Sequence, residues 1–405
     1  MTGIIQKILP GTFQSAPGHC CLFGILLTAA LFISCKPTET KDTGALPETF
    51  VDLPVFDRPV DSLLTPEAKA LLINLNKLKS KGIIFGQQDA TLTGVDWKFP
   101  DNKSDVKDLT GTHPALYGWE IGGAGKEDNI DSIPFQLIRK RMIEAFDRGG
   151  INTVSWHLNN PVTGGTAWDV TPALSKILPD SILSDFYKSE LQKIAGFFLS
   201  LKNEQGNHVP VIFRPFHENN GNWFWWGKGR CLPSEYIDLW RFTISYLRDS
   251  LHVHNLIYAY STDMFESELQ YLERFPGNEW VDILGCENYW DFQSGSSVFN
   301  GVAQLRMLVN MANARKKIAA LTECGFSGIP VKNWWTQFLL KSIREDSLAR
   351  NISYLMVWRN ANRKHYYTPF TGHKSAADFI AFERDTFTIF EKDLKEIYSA
   401  QNNPE

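Results

Sequence analysis

From residue 65 onward, apolar positions fall into a repeating rhythm of helix-period stretches and short, nearly continuous apolar runs. Thr65-Pro66-Glu67 is a good helix start, and Ala68, Leu71, Leu72, Leu75 and Leu78 share one face before Gly82 stops the helix. Eight apolar runs follow, at residues 82–87, 115–121, 151–157, 210–218, 256–262, 281–289, 318–325 and 352–360. Helical patterns lie between most of them, among them Ile182 to Lys202, Ser234 to Ser250, Val298 to Lys317 and Trp334 to Ile343. Strands without polar alternation are buried on both faces, so the pattern predicts a parallel sheet closed as an α/β (β/α)8 TIM barrel. No second compositional regime interrupts it, and residues 57–400 read as a single catalytic-sized domain. The charge-rich stretch Glu383 to Lys395 reads as a solvated helix face.

The segment before the barrel has a different character. Cys21 to Ser34 is apolar and ends at Cys35, followed by the polar stretch Lys36 to Thr43. Fourteen residues are too few for a comfortable membrane span, so residues 1–34 read as a signal peptide. Ser34 before Cys35 resembles a bacterial lipoprotein processing site, with Cys35 as the lipid attachment point; an ordinary cleaved signal is the alternative. Residues 35–56, rich in Pro, Thr, Glu and Asp, suit a linker. The implied location is outside the cytoplasm, on the bacterial outer membrane, facing periplasm or medium. Cys231, Cys286 and Cys324 show no framework spacing, so the fold is expected to rest on its core, with one bridge left open.

Composition narrows the function. The 405 residues are 43% hydrophobic and carry a formal net charge of −4, which argues against a nucleic-acid binder that must neutralise many phosphates. Thirteen Trp residues supply flat apolar plates suited to stacking on sugar rings as well as to core packing. A soluble enzyme or a carbohydrate binder is what remains, expected to act as a monomer.

Chemically capable residues gather at the ends of the predicted strands: Gln87, Glu120, His157, Glu218, Tyr289, Glu323 and Trp358. In a (β/α)8 barrel the C-terminal strand ends form the active site. Alternation places Arg214, Phe216 and Glu218 on one face of strand four, and Ala319, Leu321 and Glu323 on one face of strand seven. Those strands oppose each other across the ring, so Glu218 and Glu323 can flank one bond, as glycoside hydrolysis requires. Glu287 ends strand six beside Glu323, a poorer partner for opposite-face attack. Phe216, Trp223 and Phe224 are expected to wall Glu218, and Arg214 either pairs with a carboxylate or contacts sugar. Trp225 and Trp226 are left between cleft and core, while Trp168, Trp240 and Trp280 read as packing.

A metal hydrolase built on His157, His217, Glu218 and Glu323 is a competing reading. The chain has no His-x-His or His-Glu-x-x-His, and a regular strand would turn His217 and Glu218 to opposite faces, so no metal or other cofactor is expected. A non-catalytic glycan-binding lipoprotein is the alternative of another class; loss of a catalytic carboxylate would mark it, and both are present.

The segment Arg214 to Gly227, RPFHENNGNWFWWG, resembles the acid/base segment of glycoside hydrolase family 26, whose members are mostly β-1,4-mannanases on (β/α)8 barrels. The resemblance extends to Trp156–Pro161, Glu287–Trp290, Leu321–Gly325 and Val357–Asn360, in the family's order. It implies Glu218 as general acid/base and Glu323 as nucleophile. By the same resemblance His157, His217 and Trp223 lie around the cleaved sugar, Tyr289 bonds the nucleophile, Trp358 underlies the −1 sugar and Arg359 serves the −2 side. Arg214, Trp156 and Glu287 are expected in support, although Glu287 stands where the family pattern calls for Asp. A retaining β-1,4-mannanase acting on mannan, glucomannan or galactomannan is the expected activity, endo-acting or mannobiose-releasing, with a related glucanase or xylanase as the alternative.

Overall fold

The structure, a computed structural model, describes residues 58–293 and 295–399. The leader, Cys35 and the linker up to Phe56 lie outside these residues. Each predicted run forms one strand: β1 (Ile83–Gln88), β2 (Leu116–Glu120), β3 (Ile151–Trp156), β4 (Val211–Pro215), β5 (Leu256–Thr262), β6 (Ile283–Asn288), β7 (Ile318–Cys324) and β8 (Tyr354–Val357). All pair in parallel in chain order, and β8 pairs back to β1 through Ile84 with Tyr354 and Gln87 with Val357, closing the barrel.

The barrel interior is packed. Ile84, Leu116, Ile212, Ile257, Ile283, Ala320 and Met356 form one buried apolar cluster, whereas Phe85, Tyr117, Phe213, Tyr258, Leu284, Leu321 and Leu355 belong to a second with the surrounding helices. The two sets alternate along the strands, which is why each run reads as continuously apolar. Gly118 admits the close crossing of interior side chains: a Cβ there would lie 2.0 Å from Gln88 Oε1 and 2.6 Å from Met356 Sδ.

Helix α1 (Pro66–Leu78) closes the N-terminal end. Thr65 caps it by accepting from the Ala68 amide at 3.3 Å, and Leu71, Leu72 and Leu75 join the interior cluster. The larger outer helices are α2 (Phe135–Asp147), α3 (Ser184–Ser200), α4 (Pro233–Ser245), α5 (Val298–Ala314) and α6 (Ala376–Glu383). The pattern over 234–250 ends in a π-helical turn at Tyr246–Ser250, and the one over 334–343 begins with such a turn at Trp335–Leu340.

The C-terminal stretch departs from expectation. Helix α6 stops at Glu383, and Thr388–Ile389 form a short strand that pairs with Ile83 and Ile84 of β1. Phe387, Ile389 and Phe390 are buried there, so tertiary burial overrides a local charge pattern. The three described cysteines are free, two of them buried.

Candidate active site

Strand β4 ends at Pro215, two residues after the outer-layer Phe213. Phe216 and Glu218 then adopt left-handed backbone angles, φ 49° and 53°. Non-glycine residues rarely take this conformation, which costs on the order of 1–3 kcal/mol each and persists only where surroundings fix it. Here they do: Tyr236 Oη donates to the Phe216 carbonyl at 3.0 Å, Trp226 Nε1 to the His217 carbonyl at 2.9 Å, and the Glu218 amide to the Ser261 carbonyl at 3.1 Å. The turn sends Phe216 outward against Trp156 and Tyr236, correcting its expected place beside Arg214 and Glu218. It leaves Glu218 half-buried at the mouth, where its Oε2 accepts from Trp223 Nε1.

Arg214, an interior residue two positions after Ile212, reaches the same place from below. Its Nη1 donates to Glu287 Oε1 and its Nη2 to Glu323 Oε1, so the open alternative resolves to a buried ion pair with two carboxylates. Glu323 Oε2 accepts from Tyr289 Oη at 2.8 Å. Glu323 does not reach this position by simple alternation, because Ala319 and Leu321 lie in the outer cluster. Strand β7 carries a bulge: Cys286 pairs with Leu321 but Glu287 with Glu323, and β8 shows the same slip between Leu355 and Val357. The extra residue, Thr322, hydrogen-bonds inward to Ser261 Oγ at 2.5 Å, and Glu323 gains the mouth one position later.

His157, just past β3, places Nδ1 2.6 Å from Oε2 of Glu120, the last residue of β2. Burial depresses this imidazole, but the facing carboxylate outweighs it and the pKa rises; Glu120, equally buried, ends below the usual carboxylate range through His157. His217 differs. Burial, with positive charge on Arg214 and His157, holds it well below the ordinary imidazole range, so the two histidines at the mouth are pushed in opposite directions. The two rings meet edge to face at 4.6 Å.

The aromatic residues divide cleanly. Trp223 is half-buried against Glu218, whereas Trp225 and Trp226 are fully buried, their indole N–H groups spent on the Leu158 and His217 carbonyls. Trp156 is likewise core, packed on Tyr187 and Phe213 behind the site. Phe224 packs edge-on against both histidines. Trp168, read from sequence as packing, stacks on His157 at 5.0 Å with 39% of its surface exposed. Trp358 is half-buried beyond β8, and beside it Arg359 pairs with Asp131 at 2.6 Å and approaches Asp89 at 3.8 Å. Asp89 is buried, and its pKa rises to about 8 through that burial, against the pull of Arg359 and with Asp131 and Glu120 adding to it.

Sequence reading missed Glu120 as a partner, Trp168 as a site residue, and the Asp89 and Asp131 flank of Arg359. Glu120 alone carried a signal, as the polar end of an apolar run. Loop residues such as Asp131 and Trp168 carry no period.

Ligand atoms of His217, Glu287 and Glu323 all lie within 4.8 Å of one another. The regular-strand argument concerned His217 and Glu218, which both lie beyond the end of β4, and Glu218 is not one of this group. Both carboxylates are nevertheless bound to Arg214, which supplies the positive charge that a metal ion would bring.

The sequence profile of glycosyl hydrolase family 26 matches residues 60–347. The chain belongs to this family. A mannan endo-1,4-β-mannosidase of Bifidobacterium adolescentis is 36% identical over 349 residues, covering 78% of this chain and 34% of its own length. This chain thus spans about a third of that relative. The structure of a GH26 β-mannanase from Bacteroides ovatus superposes with a TM-score of 0.80 at 38% identity, covering 84% of this chain and 99% of that one. A modular endo-β-1,4-mannanase of Cellulomonas fimi gives 0.79 at 33% identity, covering 84% and 79%.

Proposed function

We propose that this family 26 barrel is a retaining β-1,4-mannanase that cleaves mannan, glucomannan or galactomannan by double displacement. Glu218 protonates the leaving oxygen while Glu323 attacks the anomeric carbon to give a covalent mannosyl-enzyme. Water deprotonated by Glu218 then releases the sugar. The observation that carries the reading is the unequal setting of two carboxyl groups at one barrel mouth. Glu323 holds a donor on each oxygen, Arg214 and Tyr289, as an anionic nucleophile needs, while Glu218 stands at the opening beside the Trp223 indole.

The named activities of the similar proteins support mannan as the polymer. His157, His217 and Trp168 supply polar and flat contacts around the cleaved residue. Mannose and glucose differ at C2, and a buried group mispaired there costs about 1 to 3 kcal/mol. Arg359, held by Asp131, serves the glycone side. We further propose that the protein is exported and anchored to the outer membrane through Cys35, and that it acts as a monomer.

Product profiles on mannohexaose, galactomannan, glucomannan and mixed-linkage glucan test the activity. Cleavage of glucomannan next to mannose in the −1 subsite is expected, with little release from the glucan. Comparable rates on glucan would overturn the substrate assignment.

A further inference from the structure

Asp89, the first residue past β1, combines two costly features. Its backbone is left-handed, with φ 51°, and is fixed by its amide donating to the Gly118 carbonyl at 2.9 Å and its carbonyl accepting from the Leu92 amide at 2.9 Å. Its carboxyl is fully buried, and neither oxygen receives an N–H or O–H from the described residues. Arg359 Nη1 stops 3.8 Å from Oδ2, beyond hydrogen-bond reach, while Nη2 of the same guanidinium donates to Asp131 at 2.6 Å.

This arrangement fits a neutral carboxyl and not an anion. A buried, unpaired carboxylate is heavily penalised, and a flexible guanidinium 3.8 Å away would close on it. Instead the guanidinium rests on Asp131, which is partly open to solvent. The other groups around Asp89 discourage its charge as well. Asp131, in the loop after β2, and Glu120, the last residue of that strand, are acidic, and Gln87 and Gln88 on β1 are uncharged. His157 lies behind Glu120, and His365, near Arg359, is pushed below the ordinary imidazole range by burial and adds no charge above neutral pH. The rise of the Asp89 pKa to about 8, through burial first and against Arg359, agrees with the geometry.

We propose that Asp89 is a positioning residue for Arg359: its neutral carboxyl leaves the guanidinium on Asp131, where it serves the glycone sugar. This rests on the reading that Arg359 acts on the glycone side. When Asp89 gives its proton to solvent, the new carboxylate draws Arg359 inward, and the hold on a sugar beyond the −1 subsite weakens. The enzyme then loses glycone affinity while its catalytic pair stays in place.

Two aryl glycosides with the same leaving group test this, one carrying a single mannose and the other mannobiose, so that only the second reaches Arg359. The ratio of their kcat/KM values cancels Glu218, Glu323 and His157, which act on the −1 side common to both. In the wild type the mannobioside advantage should fall about 10-fold or more between about pH 6.5 and about pH 9.5. Asp89→Asn is isosteric, always neutral and tolerant of the left-handed backbone, so it should match the wild type at the lower pH and keep its advantage at the higher. An Asn variant that has lost the advantage at the lower pH would show that an anion holds Arg359, and would overturn the proposal. So would a wild-type ratio that stays flat with pH, which needs no variant. Arg359→Ala should lack the advantage at both pH values. If it keeps the advantage, the glycone reading of Arg359 fails and the proposal with it; if it loses the advantage while the wild-type ratio is flat, that reading stands and only the role of Asp89 falls. Carbon-13 NMR of aspartate-labelled protein without substrate reads the proton apart from activity. The carboxyl resonance missing from Asp89→Asn should titrate above neutral pH, and one already ionised at neutral pH overturns the proposal.

Discussion

His157 Nδ1 lies 2.6 Å from Oε2 of Glu120, and both side chains are buried beneath the mouth of the barrel. Burial opposes charge on each, yet the imidazole pKa is raised and the carboxyl pKa lowered, so the pair prefers to be ionic. A raised histidine contributes stability that is complete below its unfolded value, about 6.5, and lost as pH climbs through its folded value. A depressed glutamate contributes above about 4.3 and is lost as pH falls through its folded value. Both contributions are complete between those limits. Glu120→Gln should therefore cost about 1 to 3 kcal/mol near pH 5.5 and less at pH 9, read by urea unfolding. An equal cost at the two pH values would show that the charges do not matter.

Tyr289→Phe removes one of two donors from Glu323 and leaves Arg214 in place. A hydrogen bond to a charged group is worth about 1.5 to 3 kcal/mol, so kcat/KM should fall about 10- to 100-fold. The loss should be similar on mannan and on an activated aryl mannoside, because the nucleophile serves both. A loss confined to mannan would assign the tyrosine to the acid instead.

The barrel was legible because strands buried on both faces leave long apolar runs, and Leu256–Thr262 matches its run at both ends. What periodicity could not supply was the behaviour of the chain where those runs stop. Alternation carried past Pro215 puts Phe216 beside Arg214, but left-handed turns at Phe216 and Glu218, held by Tyr236, Trp226 and Ser261, separate them. Glu323 reaches the cleft through a bulge that no two-residue period contains. Both carboxylates were singled out by residue type and strand end, and their aim at the barrel mouth depends on partners distant in sequence.

Glu218→Ala separates the acid from the rest of the site. Polysaccharide cleavage should collapse, while an activated aryl mannoside should still form the glycosyl-enzyme, making its hydrolysis limiting. Azide should then restore turnover by replacing the water that Glu218 no longer activates. Equal losses on both substrates without an azide response would count against the assigned role.

For the leader, Cys35→Ser should release the protein from the membrane fraction of the producing cell. The intervening polar linker keeps the anchor remote in sequence from the barrel, so kinetics on soluble mannan should not change. A wild-type protein recovered entirely in the soluble fraction would remove the anchor from the account and leave the catalytic assignment untouched.

The tryptophans of one short segment should respond oppositely to truncation. Trp226 is fully buried, stacks on Phe224 at 4.5 Å and spends its N–H on the His217 carbonyl. Trp226→Ala should open a cavity and unpair a carbonyl in the turn that carries the acid, lowering stability by about 3 to 5 kcal/mol. Trp223 is only half-buried, and its N–H goes to Glu218 itself. Removing it leaves little void, so Trp223→Ala should cost about 1 kcal/mol or less in stability. Activity on mannan should nevertheless fall at least about 10-fold, since the charge-assisted bond that orients the acid is lost. Thermal unfolding and kcat/KM measured on the same two preparations decide the matter: a Trp223 variant that unfolds early at full activity would make this indole a packing residue rather than a partner of Glu218.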